Sequence, residues 1–148
     1  GFQGAVLNVK LKYLLEWTEA RRKNARLYDK LLKDVEGVIT PKEMPDNRHV
    51  YHLYVIRVNF ESLGSNRTTL FKTLRSKGIG VNVHYIPVHL HPYYRNTFDT
   101  GPGLCPQAEA AYESILSIPM FPATGSTMTA AISLPFCSKV RITALVLL

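Results

Sequence analysis

An alternation of side chains between Val50 and Phe60 constrains the fold of this chain more than any other pattern. One set of alternate positions holds Tyr51, Leu53, Val55, Arg57 and Asn59, and the other holds His52, Tyr54, Ile56, Val58 and Phe60. Successive side chains of a strand point to opposite faces of its sheet, so the second, mostly apolar set predicts the face that packs on the core.

Helical patterns lie on both sides of this strand. Apolar residues recur at spacings of three and four between about residues 6 and 35, which predicts one long helix. A second helix is predicted to start at Ser65 or Asn66 and to end by Gly78. A third is predicted to carry Pro106 in its first turn.

The remaining segments complete an α+β arrangement. Residues Ile79–Tyr85 predict a second strand, and Ile118–Pro122 predicts a short extended segment. The order helix, strand, helix, strand, helix predicts a small antiparallel sheet with helices packed on one face. Residues 123–148 contain no Asp or Glu and are interrupted by Pro135, so we assign no element there. We separate this atypical tail from a domain at residues 1–122.

Length and composition favour one globular domain. A chain of 148 residues with 46% apolar and 20% charged residues is long enough to bury a core. Its formal net charge of +7 leaves a basic nucleic-acid-binding module open as an alternative. However, residues 1–33 hold eight Lys or Arg against three Asp or Glu, so most of the excess lies on one predicted helix. A solvated helix face explains it, and we do not expect nucleic acid to be the partner.

The cysteines and the terminal segments of the sequence indicate the cellular location of the protein. Cys105 and Cys137 form no CxxC pair, and the amino-terminal residues lack a secretory pattern, which favours reduced thiols and a cytoplasmic protein. The apolar segment 142–148 is far shorter than the roughly 20 residues that span a bilayer. No membrane association is therefore expected.

The segment Lys77–Arg95 concentrates polar and aromatic side chains on a loop restricted by Pro87 and Pro92. It carries His84, Tyr85, His89, His91, Tyr93, Tyr94 and Arg95. Loops held by a rigid scaffold are where binding groups collect. This loop is therefore the main candidate for a functional site.

Several interpretations of these side chains stay open. Imidazole is a good zinc ligand, but the spacing His-x4-His-x-His fits no zinc template and no Asp, Glu or Cys lies close by in the sequence, so we expect no metal. The histidines fit a polar ligand pocket or an ordinary loop. Tyr93, Tyr94 and Arg95 suit stacking on a base and pairing with a phosphate, although packing on their own domain also explains the tyrosines.

Five stretches of the sequence carry a family resemblance. They are His49–Arg57, Leu74–His89, Pro92–Tyr94, Cys105–Glu109 and Ser117–Pro122. In this order they resemble the C-terminal domain of the DegT/StrS sugar-nucleotide aminotransferases. The resemblance is closest to the branch that aminates a UDP-linked 4-keto-6-deoxy sugar for pseudaminic acid synthesis, and it runs from about Leu14 to Pro122.

The resemblance implies the small C-terminal domain of a fold-type-I aminotransferase. Such an enzyme, typically a homodimer, uses pyridoxal phosphate (PLP) to transfer an amino group from an amino-acid donor to a keto sugar linked to a nucleotide. In that family the Schiff-base lysine and the acid that pairs with the pyridine nitrogen lie in a large N-terminal domain. No lysine here matches the Schiff-base motif, so we expect this chain alone to bind no PLP and to be inactive. A non-catalytic interaction fragment is a further alternative.

Loop chemistry and the resemblance together select the candidate site residues. They are His84, Tyr85, His89, Tyr93 and Tyr94 for lining the nucleotide-sugar pocket, and Arg95 for meeting a diphosphate. No catalytic, cofactor-binding or metal-ligating residue is predicted. Two departures from the family stand out: Gly1–Gly4 match poorly the segment that helps to bind the cofactor phosphate across the dimer, and residues 123–148 lack the acidic terminal helix.

Overall fold

A computed structural model of the protein describes residues 1–122 in full and the backbone of residues 129–137 and 140–147. Within these residues the helices are α1 (Phe2–Leu11), α2 (Leu14–Leu32), α3 (Arg67–Ser76), α4 (Pro92–Phe98) and α5 (Pro106–Ser114). The strands are β1 (Val38–Ile39), β2 (Tyr54–Val58), β3 (Ile115–Ile118), β4 (Thr129–Cys137) and β5 (Val140–Leu147).

A three-stranded antiparallel sheet in the order β1-β2-β3 lies at the centre of the fold. The middle strand, β2, pairs antiparallel with both neighbours. Tyr54, Ile56 and Val58 are buried and Arg57 is exposed. The alternation predicted from the sequence is therefore confirmed for these residues, although the strand is shorter than the predicted 50–60.

Helices α2 and α3 contribute to the core that covers the buried face of this sheet. Their core side chains are Ala25, Tyr28 and Leu32 of α2 and Leu70 and Leu74 of α3. Leu116 of β3 and Val81 complete the centre of the cluster, and both are fully buried. The predicted α+β architecture with a small antiparallel sheet is confirmed.

The prediction of one continuous helix between residues 6 and 35 is wrong. Helix α1 ends at Leu11 and α2 begins at Leu14. The N–H groups of Lys12 and Tyr13 each donate to the carbonyl three residues earlier, at 3.3 and 3.0 Å. Such bonds tighten the turn into a 3₁₀ pattern and interrupt the α-helical ladder.

Helix α1 exposes most of its apolar side chains. Phe2, Leu7, Val9 and Leu11 all lie largely in solvent, and α1 contains no buried residue. Trp17, near the start of α2, is half-buried and stacks on Tyr13 with ring centroids 5.6 Å apart. Large exposed apolar surfaces commonly mark contacts with another domain or protein.

The predicted strand at Ile79–Tyr85 is reduced to one bridge, between Asn82 and Ser117 of β3. Other N–H groups of the segment find local acceptors. Val81 donates to the carbonyl of Ile79 at 2.9 Å, and Val83 donates to the side chain of Asn82 at 2.8 Å. Because such local bonds compete with a sheet ladder, the strand prediction is wrong here.

The predicted helix boundaries at α3 and α5 agree with the structure. Asn66 is the N-cap of α3, and its side chain accepts the N–H of Thr69 at 2.9 Å. Gly78 follows α3 with a φ of +80°, a conformation that glycine adopts without steric cost. Pro106 occupies the first turn of α5.

The tail contains two paired strands where no element was assigned. β4 and β5 pair antiparallel, with Thr129 opposite Leu147 and a register shift between Pro135 and Cys137. Within the described residues, no helix combines the length and apolar character needed to cross a membrane. The division into a domain at 1–122 and a tail stays a prediction.

Candidate functional site

His84 and Tyr85 are neighbours with different surroundings. His84 is half-buried, with Nδ1 2.8 Å from the hydroxyl of Ser117 on β3 and Nε2 3.3 Å from the side-chain nitrogen of Asn82. Tyr85 is 72% exposed and packs edge-on against the imidazole. The central sheet therefore orients His84, whereas the Tyr85 phenol is available to a ligand or to another domain.

His89 faces the protein rather than solvent. It lies in a 3₁₀ turn at Val88–Leu90 and is only 9% exposed. Its Nε2 lies 2.8 Å from a carboxylate oxygen of Glu109 on α5, and its carbonyl accepts the hydroxyl of Thr100 at 2.8 Å. These two bonds join the turn, which precedes α4, to two segments that follow α4.

Glu109 gathers several donors at one carboxylate. The N–H of Gly103 donates to both oxygens at 2.9 and 3.0 Å, and the N–H of Cys105 donates at 3.2 Å. The Gly103 N–H, followed by His89, lowers the pKa of this carboxyl below its usual value. We call the set of Glu109, His89, Gly103 and Cys105 the Glu109 cluster; it holds the loop after α4 against the start of α5.

Tyr93, Tyr94 and Arg95 lie on helix α4, not on a loop. The loop prediction is wrong for these residues, because Pro92 at the first helical turn presets the backbone angle that a helix needs. All three side chains are exposed, as is Phe98 at the end of the helix.

The aromatic rings of α4 pack mainly on one another. Tyr93 meets Tyr94 edge-on at 5.3 Å, and Tyr94 stacks with Phe98 at 6.1 Å between centroids. Tyr93 is nevertheless 65% exposed. We call the exposed side chains Tyr93, Tyr94, Arg95 and Phe98 the α4 surface; it offers ring faces, phenol hydroxyls and one guanidinium to a ligand.

The structure thus places the six predicted site residues in two kinds of surroundings. His84 is held by β3, His89 by α5, and Tyr85, Tyr93, Tyr94 and Arg95 are exposed. Within the described part of the chain, no three His, Cys, Asp or Glu side chains converge in a way that could hold a metal ion.

Sequence reasoning missed the role of Glu109. In the sequence Glu109 belongs to the family-like stretch Cys105–Glu109, and its position near a helix start provides a usable signal. An acidic residue in the first turn of a helix commonly accepts N–H groups near the helix start. Here the helix start is marked by Pro106, and Glu109 reaches back to Cys105 and Gly103.

A second concave region was also missed. We call it the α2 cavity; it has a volume of about 400 Å³ and lies between α2 and the connector that leads to β2. Arg22 on its wall makes a two-bond contact with Glu43, at 2.6 and 3.2 Å, and donates to the carbonyl of His49 at 2.7 Å. Arg22 is therefore engaged within the protein, which weakens the idea of a free basic helix face for nucleic acid.

The sequence matches the DegT/DnrJ/EryC1/StrS aminotransferase family over residues 1–133. One relative is the pleiotropic regulatory protein of Geobacillus stearothermophilus, 41% identical over 123 residues, which is 81% of this chain and 31% of that protein. Another is the spore coat polysaccharide biosynthesis protein SpsC of Bacillus subtilis, 36% identical over 114 residues, which is 76% of this chain and 29% of that protein.

The fold is also similar to that of a solved structure, S. venezuelae DesV in complex with a ketimine intermediate. The TM-score is 0.72 and the identity 33%, over 83% of this chain and 32% of that one. The chain therefore spans about a third of the length of the proteins that it matches.

Proposed function

This chain belongs to the DegT/DnrJ/EryC1/StrS aminotransferase family, and we propose that it is the C-terminal domain of a PLP-dependent sugar-nucleotide aminotransferase. The observation that carries the proposal is the joint match of sequence and fold to a sugar-modifying family over about a third of its members' length. A segment of that size with its own core fits one domain of a larger enzyme.

The lysines within residues 1–122 do not fit a Schiff-base role. All eight are exposed, whereas a lysine that forms a Schiff base is activated by desolvation or by a neighbouring cation that lowers its pKa. We therefore derive no step through PLP from this chain. Its proposed part is to bind and orient the nucleotide sugar and to cover the site against water.

The exposed aromatic residues are the proposed contacts with the substrate. A nucleotide sugar presents a base with two ring faces, a diphosphate and several hydroxyls. Tyr85, Tyr93 and Tyr94 offer ring faces and phenol hydroxyls, and the Arg95 guanidinium offers paired donors to a diphosphate. His84, oriented by Ser117, adds an imidazole edge to this set.

His89 is proposed to act on the substrate through the Glu109 cluster. Its imidazole is already bonded to Glu109, and its carbonyl is bonded to Thr100 just after α4. Both contacts fix the position of the short helix that carries Tyr93, Tyr94 and Arg95. His89 is thus a positioning residue in this proposal.

Finer features of the enzyme are proposed from the motif resemblance. The substrate would be a UDP-linked 4-keto-6-deoxy sugar, as in the pseudaminic acid branch whose product is UDP-4-amino-4,6-dideoxy-N-acetyl-β-L-altrosamine. The amino donor would be an amino acid, and the enzyme would be a cytoplasmic homodimer. The exposed apolar side chains of α1 suit a contact with the rest of such an enzyme.

A chimera tests the proposed function. Residues 1–148 replace the matching third of Bacillus subtilis SpsC, and amino transfer from glutamate to UDP- and dTDP-linked keto sugars is measured. We expect turnover with at least one keto-sugar nucleotide. A folded, PLP-binding chimera that turns over keto acids but no keto-sugar nucleotide would contradict the proposal.

Variants of the chimera test the surface assigned to the substrate. Arg95→Ala is expected to raise KM for the sugar nucleotide by about tenfold, the usual order for a lost charge-assisted hydrogen bond, with a smaller change in kcat. Lys72→Ala, an exposed cation on α3, is the matched control and should leave KM unchanged. An equal effect of the two variants would remove Arg95 from the site.

Borohydride trapping tests whether the chain alone is inactive. The chain is incubated with PLP, reduced and digested, and the pyridoxyl-lysine peptides are mapped. We expect only weak, scattered labelling of exposed lysines. One stoichiometric pyridoxyl-lysine within residues 1–148 would overturn the expectation.

A further inference from the structure

The α2 cavity has the size of a small-ligand site and a lining made mostly of charged side chains. Its volume of about 400 Å³ falls within the range of roughly 300–1,000 Å³ common for such sites. It is lined by Arg22, Arg26, Asp29, Thr40, Pro41, Lys42, Glu43 and Tyr51. Its walls come from α2 and the connector, and no residue of α4 takes part.

The acidic groups of the lining already have partners. Glu43 receives both guanidinium bonds of Arg22 and the N–H of His49 at 2.6 Å, and these contacts lower the pKa of its carboxyl. Asp29 accepts the hydroxyl of Tyr54 at 2.5 Å. The Glu43 charge is thus neutralised by Arg22, whereas Asp29 keeps its negative charge and gains one hydrogen-bond donor.

Two cations of the lining remain available to a ligand. Arg26 and Lys42 are exposed, and neither side chain makes a hydrogen bond or ion pair with another residue in the stretch 1–122. The Arg22 and Glu43 charges cancel, so the cavity retains two positive charges against the single charge of Asp29. A guanidinium and an ammonium facing one cavity favour a ligand with oxyanion groups.

Tyr51, on the wall of the cavity, has an unusual backbone conformation. Its φ is +47°, a left-handed conformation that an aromatic residue rarely adopts. The conformation is held by the bond from the Tyr51 N–H to His49 Nδ1 at 2.8 Å and by ring contacts with His49 at 4.2 Å and Tyr54 at 6.1 Å. Strained residues that the surroundings hold in place cluster at binding sites.

We propose that the α2 cavity binds a small polyvalent oxyanion, with Arg26 and Lys42 as the charged contacts and Tyr51 as the rigid wall. The ligand carries at least two negative charges, as phosphate or carboxylate groups. Arg22 acts as a positioning residue, because its bonds to Glu43 and to the His49 carbonyl hold the connector against α2.

Binding of sodium pyrophosphate and of citrate to the chain tests this proposal. Isothermal titration at constant ionic strength is expected to show saturable binding of one anion per chain, with a dissociation constant of about 1 mM or tighter for at least one of the two. Pyrophosphate alone would identify phosphate as the preferred group, and citrate alone would identify carboxylate. Saturation by neither anion would overturn the proposal.

Paired variants locate the binding. The double variant Arg26→Ala, Lys42→Ala is expected to weaken binding by about tenfold or more, since both charge-assisted contacts are lost. The double variant Lys72→Ala, Lys77→Ala removes two exposed charges around α3 and should bind as the unchanged chain does. Equal weakening by both double variants would show general charge attraction only and would refute the assignment.

Amide chemical-shift mapping gives a readout that needs no substitution. Addition of the bound anion should shift the N–H signals of Thr40, Lys42, Glu43 and Tyr51 more than those of α4. Circular dichroism checks that the variants keep their folded signal. Shifts centred on α4 instead would place the anion at the α4 surface and would contradict the proposal.

Discussion

Two pairs of tyrosines, one in the sheet core and one on α4, have opposite surroundings. In the sheet core, Tyr28 and Tyr54 are buried, and their hydroxyls donate to the Pro119 carbonyl at 2.9 Å and to Asp29 at 2.5 Å. On α4, Tyr93 and Tyr94 are exposed, and their rings contact mainly each other and Phe98.

The buried tyrosines stabilise the fold, whereas the exposed tyrosines are placed to contact a ligand or a partner. Burial raises the pKa of Tyr28 to about 12, and burial followed by the contact with Asp29 raises that of Tyr54, because the charged phenolate is poorly solvated inside the core. The α4 rings gain no such enclosure and contribute little to folding by that route. A cluster of exposed aromatic side chains is more readily explained by a ligand or a partner.

The largest expected difference between the two regions is the loss of folding stability when a leucine side chain is removed. Leu116→Ala removes a fully buried side chain from β3 and should lower the free energy of unfolding by about 2–5 kcal/mol. Leu104→Ala, just after α4, removes a side chain that is 59% exposed and should change it by less than about 0.5 kcal/mol. Urea denaturation of both variants measures the contrast. Similar losses would mean that the region after α4 is as tightly packed as the core.

A hydroxyl deletion compares the two kinds of tyrosine directly. Tyr54→Phe should lower the free energy of unfolding by about 1–3 kcal/mol, because Asp29 loses the donor beside it. Tyr94→Phe should have almost no effect on the same quantity. Denaturant titration reports both values, and a neutral result for Tyr54→Phe would show that water replaces the lost bond.

Glu109→Gln tests the contact that holds the region around α4. The folded pKa of Glu109 is lowered from 4.5, so its ionised form stabilises the protein above that pH, and this stabilisation is lost as pH falls through the lower folded pKa. The variant should therefore be less stable than the unchanged chain at pH 7, and the gap should shrink below pH 4.5.

Thermal melting between pH 3 and 7 measures this effect. Glu113→Gln, an exposed position on the same helix, should lower the melting temperature at pH 7 less than Glu109→Gln does. A constant gap between the Glu109 variant and the unchanged chain at every pH would argue against a role for the Glu109 charge.

Tyr93→Ala on α4 is also expected to have only a small effect on folding. The side chain is 65% exposed, so the free energy of unfolding should change by less than about 0.5 kcal/mol. A loss above about 1 kcal/mol would mean that the α4 rings form a folding cluster, and the contrast between the two regions would fail. Denaturation in urea again supplies the measurement.

Much of the fold was predictable because local patterns report local geometry. The alternation around Tyr54, the Asn66 cap and Pro106 at a helix start each depend on neighbouring residues, and each agrees with the structure. The predicted strand at Ile79–Tyr85 failed because the side chain of Asn82 and the carbonyl of Ile79 took N–H groups that a ladder would need. Hydrophobic pattern alone does not reveal that competition.

The candidate site was predictable in composition but not in arrangement. The sequence by itself identified a concentration of binding groups between His84 and Arg95, because residue type alone gives the chemistry of each side chain. Only the tertiary structure decided that His89 turns inward to Glu109, twenty positions later, and that Arg22 and Glu43 frame a cavity beside Tyr51. Such contacts join residues far apart in sequence, and their geometry depends on how the helices pack on the sheet.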